Sequence, residues 1–299
     1  MSLRIISTTL FDKAEQERYQ PYLPMALRAH HNLYKGWIYR IYHDGTIDSG
    51  PYGKSLRRLA ERGLVELRFV SSDALIEKAM LWRLLPLWDE LEEDIELFCF
   101  RDIDMVAPYR ERCAVETWIR SGLMLHSMSD YKRHHDYPSL NGMMGFRVKP
   151  IQEMLKLGRY GDDFEAFLAR ADWPEQLWRS NYRASGKGAD ERFRADPETT
   201  NNQFFLKNSI WLPLQKHACE HRLSGCQVFP GTALSFTTVE MFHPDDLGVR
   251  HTICDGSDSI IPFIGASMAN SDINLEEILH FYQEHGDPEI ERVFKECEL

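Results

Sequence analysis

Two hydrophobic periods alternate through the first hundred residues, and that alternation leaves the chain few architectures. Residues 4–10 (RIISTTL) form a short β-rich run, and 22–31 (YLPMALRAHH) carry apolar side chains at helical spacing. Residues 37–42 (WIYRIY) are aromatic and β-branched and end in His43-Asp44-Gly45, a turn signal. Residues 55–62 read helical, 65–70 (VELRFV) alternate like a strand, 73–87 read helical, and 95–100 (IELFCF) make a fourth strand. Strands separated by helical segments need crossover connections. The pattern therefore predicts an α/β fold, a Rossmann-like and mostly parallel sheet flanked by helices.

Beyond Asp104 the pattern is less regular. A helix is expected over 109–121, a short apolar stretch over 141–148, a helix from Asn202, and an amphipathic helix over 275–294. Residues 174–197 are polar around Ser185-Gly186-Lys187-Gly188 and too long for an ordinary loop, so they read as a lid or insertion. No linker composition divides the chain. The reading is a single unit over 1–299, with a nucleotide-binding half (1–106) and a less regular acceptor half (107–299) that carries the insertion.

Charge limits the partners. The net charge of −11 repels a phosphate backbone, which argues against nucleic acid and requires local cations for any anionic ligand. No apolar run approaches membrane-span length, and the first residues lack the apolar core of a secretion signal. Six cysteines form no C-x-x-C pair and no dense framework, which predicts free thiols and a cytoplasmic location.

The stretch 98–106 (FCFRDIDMV) carries the most chemistry. An apolar strand runs straight into Arg101-Asp102-Ile103-Asp104. Carboxylates at i and i+2 point to one side of an extended chain. At the carboxyl end of a parallel strand they face the crevice where α/β proteins bind ligands. Paired oxygens there suit Mg²⁺ or Mn²⁺, which keep several waters and bridge to phosphates. The competing reading is a strand that ends in a solvated turn.

The order of features resembles GT-A glycosyltransferases, especially the glycogenin-like retaining group and uncharacterised bacterial relatives. A helix with an Arg precedes the D-x-D strand, here Leu81-Trp82-Arg83-Leu84-Leu85-Pro86-Leu87 before RDID. An N-x-G-x-M segment comes later, here Leu140-Asn141-Gly142-Met143-Met144-Gly145, and then a D-Q-x-x-L helix start, here Asn202-Gln203-Phe204-Phe205-Leu206. The resemblance spans residues 4–221. It implies a metal-dependent glycosyltransferase that uses a nucleotide-sugar, a UDP-sugar, and an acceptor glycan or small molecule. It also implies that His221 completes the metal shell of Asp102 and Asp104, and that Arg83 with Arg101 offsets diphosphate charge. Ser7, Thr8, Tyr42 and Asp44 would lie at the strand ends that hold base and ribose. Asp130, Asn141, Asn202 and Gln203 would lie near the transferred sugar. Asn202 stands where the family has Asp, so a catalytically inactive nucleotide-sugar binder is the alternative.

Two other constellations compete. His217-Ala218-Cys219-Glu220-His221 matches H-x-x-E-H, which on a helix would place two imidazoles on one face for a zinc hydrolase. His126, Asp130, His134 and His135 cluster in LHSMSDYKRHHDYP. That segment reads either as a polar surface loop or as an acceptor-side wall containing His126 and Asp130.

Overall fold

The computed structural model describes residues 2–11, 20–50, 52–71, 76–89, 93–105, 107, 109–129, 143–170, 205–223, 231–238, 251–252, 260–261, 280 and 283–299. Strand β1 (Leu3–Leu10) is followed by helix α1 (Leu23–Leu33), β2 (Ile38–His43), α2 (Gly53–Glu61) and β3 (Val65–Phe69). A 3₁₀ segment (Ile76–Leu84) and the short α3 (Pro86–Asp89) lead into β4 (Ile95–Phe100) and α4 (Tyr109–Ser121). Then come β5 (Leu125–Ser129), β6 (Met144–Arg147), α5 (Val148–Leu155), α6 (Phe164–Ala169), a π-helical turn (Lys207–Trp211), β7 (Ala218–Leu223), β8 (Leu234–Thr238) and α7 (Pro288–Glu296).

Among the described residues, eight strands form one sheet in the order β3-β2-β1-β4-β6-β5-β7-β8. Strand β6 runs antiparallel to both its neighbours, and the other pairings are parallel. The carboxyl ends of β1, β2, β3 and β4 therefore share one edge. This is the α/β, mostly parallel and helix-flanked sheet that the alternation predicts.

Alternation along each strand builds two cores. Ile5, Tyr42, Phe98, Phe100 and Phe146 join Trp82, Ile151 and Phe167 on one face. Ile6, Tyr39, Ile41, Leu97 and Cys99 join Leu27, Leu56, Trp118 and Phe294 on the other. Both faces of the central strands are covered, which explains why 95–100 reads as an unbroken apolar run rather than an alternating one.

Three local expectations change. The helix expected over 73–87 is described only from Ile76. It is 3₁₀ to Leu84, and α3 restarts at Pro86. Proline suits a first helical turn but pushes the residue before it out of the α region, so Leu85 becomes the break. The segment read as a polar loop contains a central strand, β5, with His126 and Ser127 fully buried. HACEH is not helical either: His217 ends a 3₁₀ turn and 218–223 form β7. At strand rise, positions i and i+4 lie roughly 13 Å apart, which dissolves the H-x-x-E-H zinc geometry. The insertion near 174–197 lies outside the described residues.

Candidate functional site

Strand β4 stops at Phe100 because the backbone then turns, with Met105 N donating to Asp102 O at 3.3 Å. The D-x-D pair therefore straddles a turn, and strand alternation does not set where its carboxylates point. Asp102 keeps a third of its side chain exposed, whereas Asp104 is buried.

Arg83 meets Asp102 at this edge. Its Nη1 lies 2.6 Å from Asp102 Oδ1, its side chain is only 3% exposed, and its guanidinium sits 5.7 Å from the centre of the Phe100 ring. Ser7 positions this Arg from below: the fully buried Oγ donates to Arg83 O at 2.8 Å. The sequence put Ser7 at the end of β1, but the strand runs on to Leu10, so Ser7 is a buried support for Arg83. Thr8 is buried on the opposite face beside Tyr39, and neither hydroxyl completes a hydrogen bond of normal geometry. Burial pushes the Tyr39 hydroxyl well above its ordinary pKa. The neighbouring Thr8 hydroxyl and the Arg83 charge act against that, while the Asp104 and Asp102 carboxylates reinforce it.

Other expected residues are engaged elsewhere. Arg101 faces inward: its Nε lies 2.7 Å from Glu111 Oε1, its Nη1 donates to Phe100 O and Met144 O, and the Tyr34 hydroxyl donates to the same Glu111 oxygen at 2.8 Å. Its charge is matched by the fully buried Glu111. Tyr42 is also buried, donating to Asp89 Oδ2 at 2.5 Å in a cluster where Asp89 and Glu93 clamp Arg40. Asp89 and Glu93, from the acidic run 89–96, thus supply partners to a buried cation. Asp44 caps the turn after β2, accepting from Thr46 N at 3.0 Å, and is partly exposed. Asp130, Asn141, Asn202 and Gln203 lie outside the described residues.

His221 is on β7, two strands beyond β6 and three beyond β4. Three strand spacings are about 14 Å. Its Nδ1 lies 2.9 Å from His126 Nε2 and 3.9 Å from Cys219 Sγ. Burial first, then the His221 and Arg101 charges, holds the His126 imidazole well below its ordinary pKa and therefore neutral. Sequence reasoning separated these residues. The signal that joins them is β5–β7 pairing, which sets His126 opposite Cys219.

One feature of the edge had no clear sequence signal. Phe69, the last residue of β3, is 67% exposed, and its ring lies 6.0 Å from that of His43 at the end of β2. An exposed aromatic on an edge strand looks like any other solvent-facing strand residue until the sheet order puts it beside the crevice.

No family model matches the chain, and no curated protein matches it in sequence. Solved structures that resemble it include 4-diphosphocytidyl-2C-methyl-D-erythritol synthase from Anaerococcus prevotii, at 11% identity over 65% of this chain and 82% of that one, with a TM-score of 0.37. A protein assigned as a nucleotide-diphospho-sugar transferase from Desulfovibrio desulfuricans is similar at 10% identity over 73% and 99% of the two chains, with a TM-score of 0.32. Likenesses this distant concern the arrangement of sheet and helices and go no further.

Proposed function

We propose that the chain transfers a sugar from a nucleotide-sugar, a UDP-sugar by the resemblance, to an acceptor glycan or small molecule, with Mn²⁺ or Mg²⁺ held by Asp102 and Asp104. The observation that carries this is the meeting of a buried guanidinium with a part-exposed carboxylate, beside a second carboxylate, at the carboxyl edge of β4. The donor set fits the ion: oxygen ligands with one face open to water suit cations that keep several waters. When bound, such a cation supplies Lewis-acid neutralisation of the diphosphate leaving group.

The chain's own residues supply the rest. Arg83 exchanges its partner, from the Asp102 carboxylate to a phosphate oxygen, which frees Asp102 for the ion. Ser7 holds the Arg83 backbone and the Phe100 ring lies beside the guanidinium, so little reorganisation is needed as charge develops on the leaving oxygen. Phe69 offers a ring face to the base, and Asp44 lies at the end of β2 where a ribose would be held. His221 is left out of this ion's shell because its ring faces His126 and Cys219. Arg101 is left out because Glu111 already matches its charge. Asp130, Asn141, Asn202 and Gln203 are assigned to the sugar by the resemblance to the glycogenin-like retaining group, which also suggests retention of configuration. A cytoplasmic setting fits Cys99, Cys113, Cys219 and Cys297, which are all unpaired.

A thermal-shift screen of nucleotide-sugars with and without Mn²⁺, followed by product analysis with acceptors, tests the proposal. Stabilisation by a nucleotide-sugar that needs Mn²⁺ is the expected result. Asn202, where the family has Asp, favours a second reading, an inactive binder. Mn²⁺-dependent stabilisation with neither transfer nor hydrolysis of the donor would select it.

A further inference from the structure

We propose that His126, Cys219 and His221 form a buried site for Zn²⁺, separate from the Asp102–Asp104 pair. The three side chains leave the same face of the sheet. His126 and Cys219 are opposite one another across the parallel β5–β7 pair, and His221 is two residues beyond Cys219. All three are buried, and their ligand atoms lie within 4.8 Å of one another.

The distances come close to what tetrahedral zinc requires. With Zn–N near 2.05 Å and Zn–S near 2.3 Å, ligand atoms should sit about 3.3 Å apart for N···N and about 3.6 Å for N···S. The observed values are 2.9 Å and 3.9 Å. Closing these two gaps takes shifts of under half an ångström, and the third pair, His126 with Cys219, lies within 4.8 Å. Two imidazoles and a thiol, with no carboxylate among them, are a borderline-soft set that prefers zinc to Mg²⁺ or Mn²⁺.

The surroundings hold the ligands ready. The Trp118 indole stacks on His126 with centroids 5.3 Å apart and planes 6° apart, which fixes the imidazole plane. His126 Nδ1 is buried and has no hydrogen-bond partner, so the ring's hydrogen-bonding contact is the one from Nε2 to His221 Nδ1, which zinc would replace. The ring can present a bare Nε2 lone pair by moving its proton to Nδ1. Met128, opposite His221 in register, is fully buried as well.

The binding step balances without redox change. A Zn–S bond forms as the Cys219 S–H bond breaks, each imidazole donates a lone pair, and one proton per ion leaves to the buffer. The ligands of this site are all buried and come from two neighbouring strands. Its effect would be to fasten β5 to β7 and so join the acceptor-half strands.

The test uses the full chain on an Asp102→Ala background, which breaks the acidic pair by removing one of its two carboxylates. The protein is loaded with Zn²⁺, dialysed against a weak chelator, and analysed for metal. Co²⁺ is then titrated and the thiolate-to-cobalt charge-transfer band followed. One equivalent of zinc and a thiolate band are expected. Both should be lost in Cys219→Ser, and zinc affinity should fall roughly tenfold or more in His221→Gln. His217→Ala should leave both unchanged. Circular dichroism checks that Cys219→Ser folds; if it does not, the band in the parent protein decides alone. No retained zinc and no thiolate band, or zinc content unchanged in folded Cys219→Ser, overturns the proposal. Because Asp102 is absent throughout, these results do not depend on the nucleotide-sugar reading.

Discussion

Replacing Glu111 with Gln asks whether Arg101 serves the fold or a phosphate. The substitution keeps the shape and removes the charge that balances a guanidinium only 6% exposed. The amide oxygen can still accept from Arg101 Nε or from the Tyr34 hydroxyl, which now share Oε1 at 2.7 Å and 2.8 Å. Removing one partner of a buried ion pair costs about 3–5 kcal/mol. The retained amide recovers part of that, so the low end, about 3 kcal/mol, is expected. At roughly 2–4 °C per kcal/mol for a chain of this size, Tm should fall by about 6–12 °C. Thermal and urea unfolding read this directly. Nucleoside diphosphate affinity, measured well below the new Tm, should change little. A drop in Tm below about 2 °C would refute the buried-pair argument. So would a large loss of affinity at unchanged stability, which would return Arg101 to the phosphate site.

Arg83→Gln should weaken nucleoside diphosphate binding by about 1.5–3 kcal/mol, the worth of a charge-assisted hydrogen bond, without weakening Mn²⁺ binding to the free protein; calorimetry separates the two. Phe69→Ala should leave Tm nearly unchanged, because the ring is two-thirds exposed, and should cost about 1–3 kcal/mol of nucleotide binding if the base stacks there. Burial lowers the His31 pKa to about 4, and His30 and His126 are also held well below 6.5 by burial. The unfolded chain takes up these protons first. Stability is therefore full above pH 6.5 and lost as pH falls toward 4, by about 3 kcal/mol for His31 alone. Tm measured from pH 7.5 to 4.5 should fall, and His31→Gln should flatten the curve.

What the sequence made legible was local. Residues 95–100 and 109–121 stand at the expected boundaries because a doubly covered strand and an amphipathic helix each carry their signal within a few residues. β5 and β7 were misread because each is short and carries His, Cys, Ser or Glu at buried positions. Those side chains are accommodated by partners from other strands, which no local pattern reveals. Arg101 and Arg83 look alike in sequence, each an Arg near a D-x-D. Only the packing of α4, which brings Glu111 beneath β4, distinguishes a cation already matched by a buried carboxylate from one poised at the open edge. Gly145, within the Gly segment, is explained the same way. A Cβ there would meet Trp118 at 2.9 Å and Cys99 Sγ at 3.0 Å, a requirement set by residues 27 and 46 positions away.

The central claim is that a divalent cation at Asp102 and Asp104 lies between this acidic chain and a diphosphate. Calorimetric titration of UDP tests it most directly, with Mn²⁺ and then with chelator, on the parent protein and on Asp102→Ala. Like charges repel at this edge unless a cation lies between them. The account predicts binding that requires Mn²⁺ in the parent and disappears in a folded Asp102→Ala. Equal affinity with Mn²⁺ and with chelator, or full Mn²⁺-dependent binding in Asp102→Ala, would contradict it.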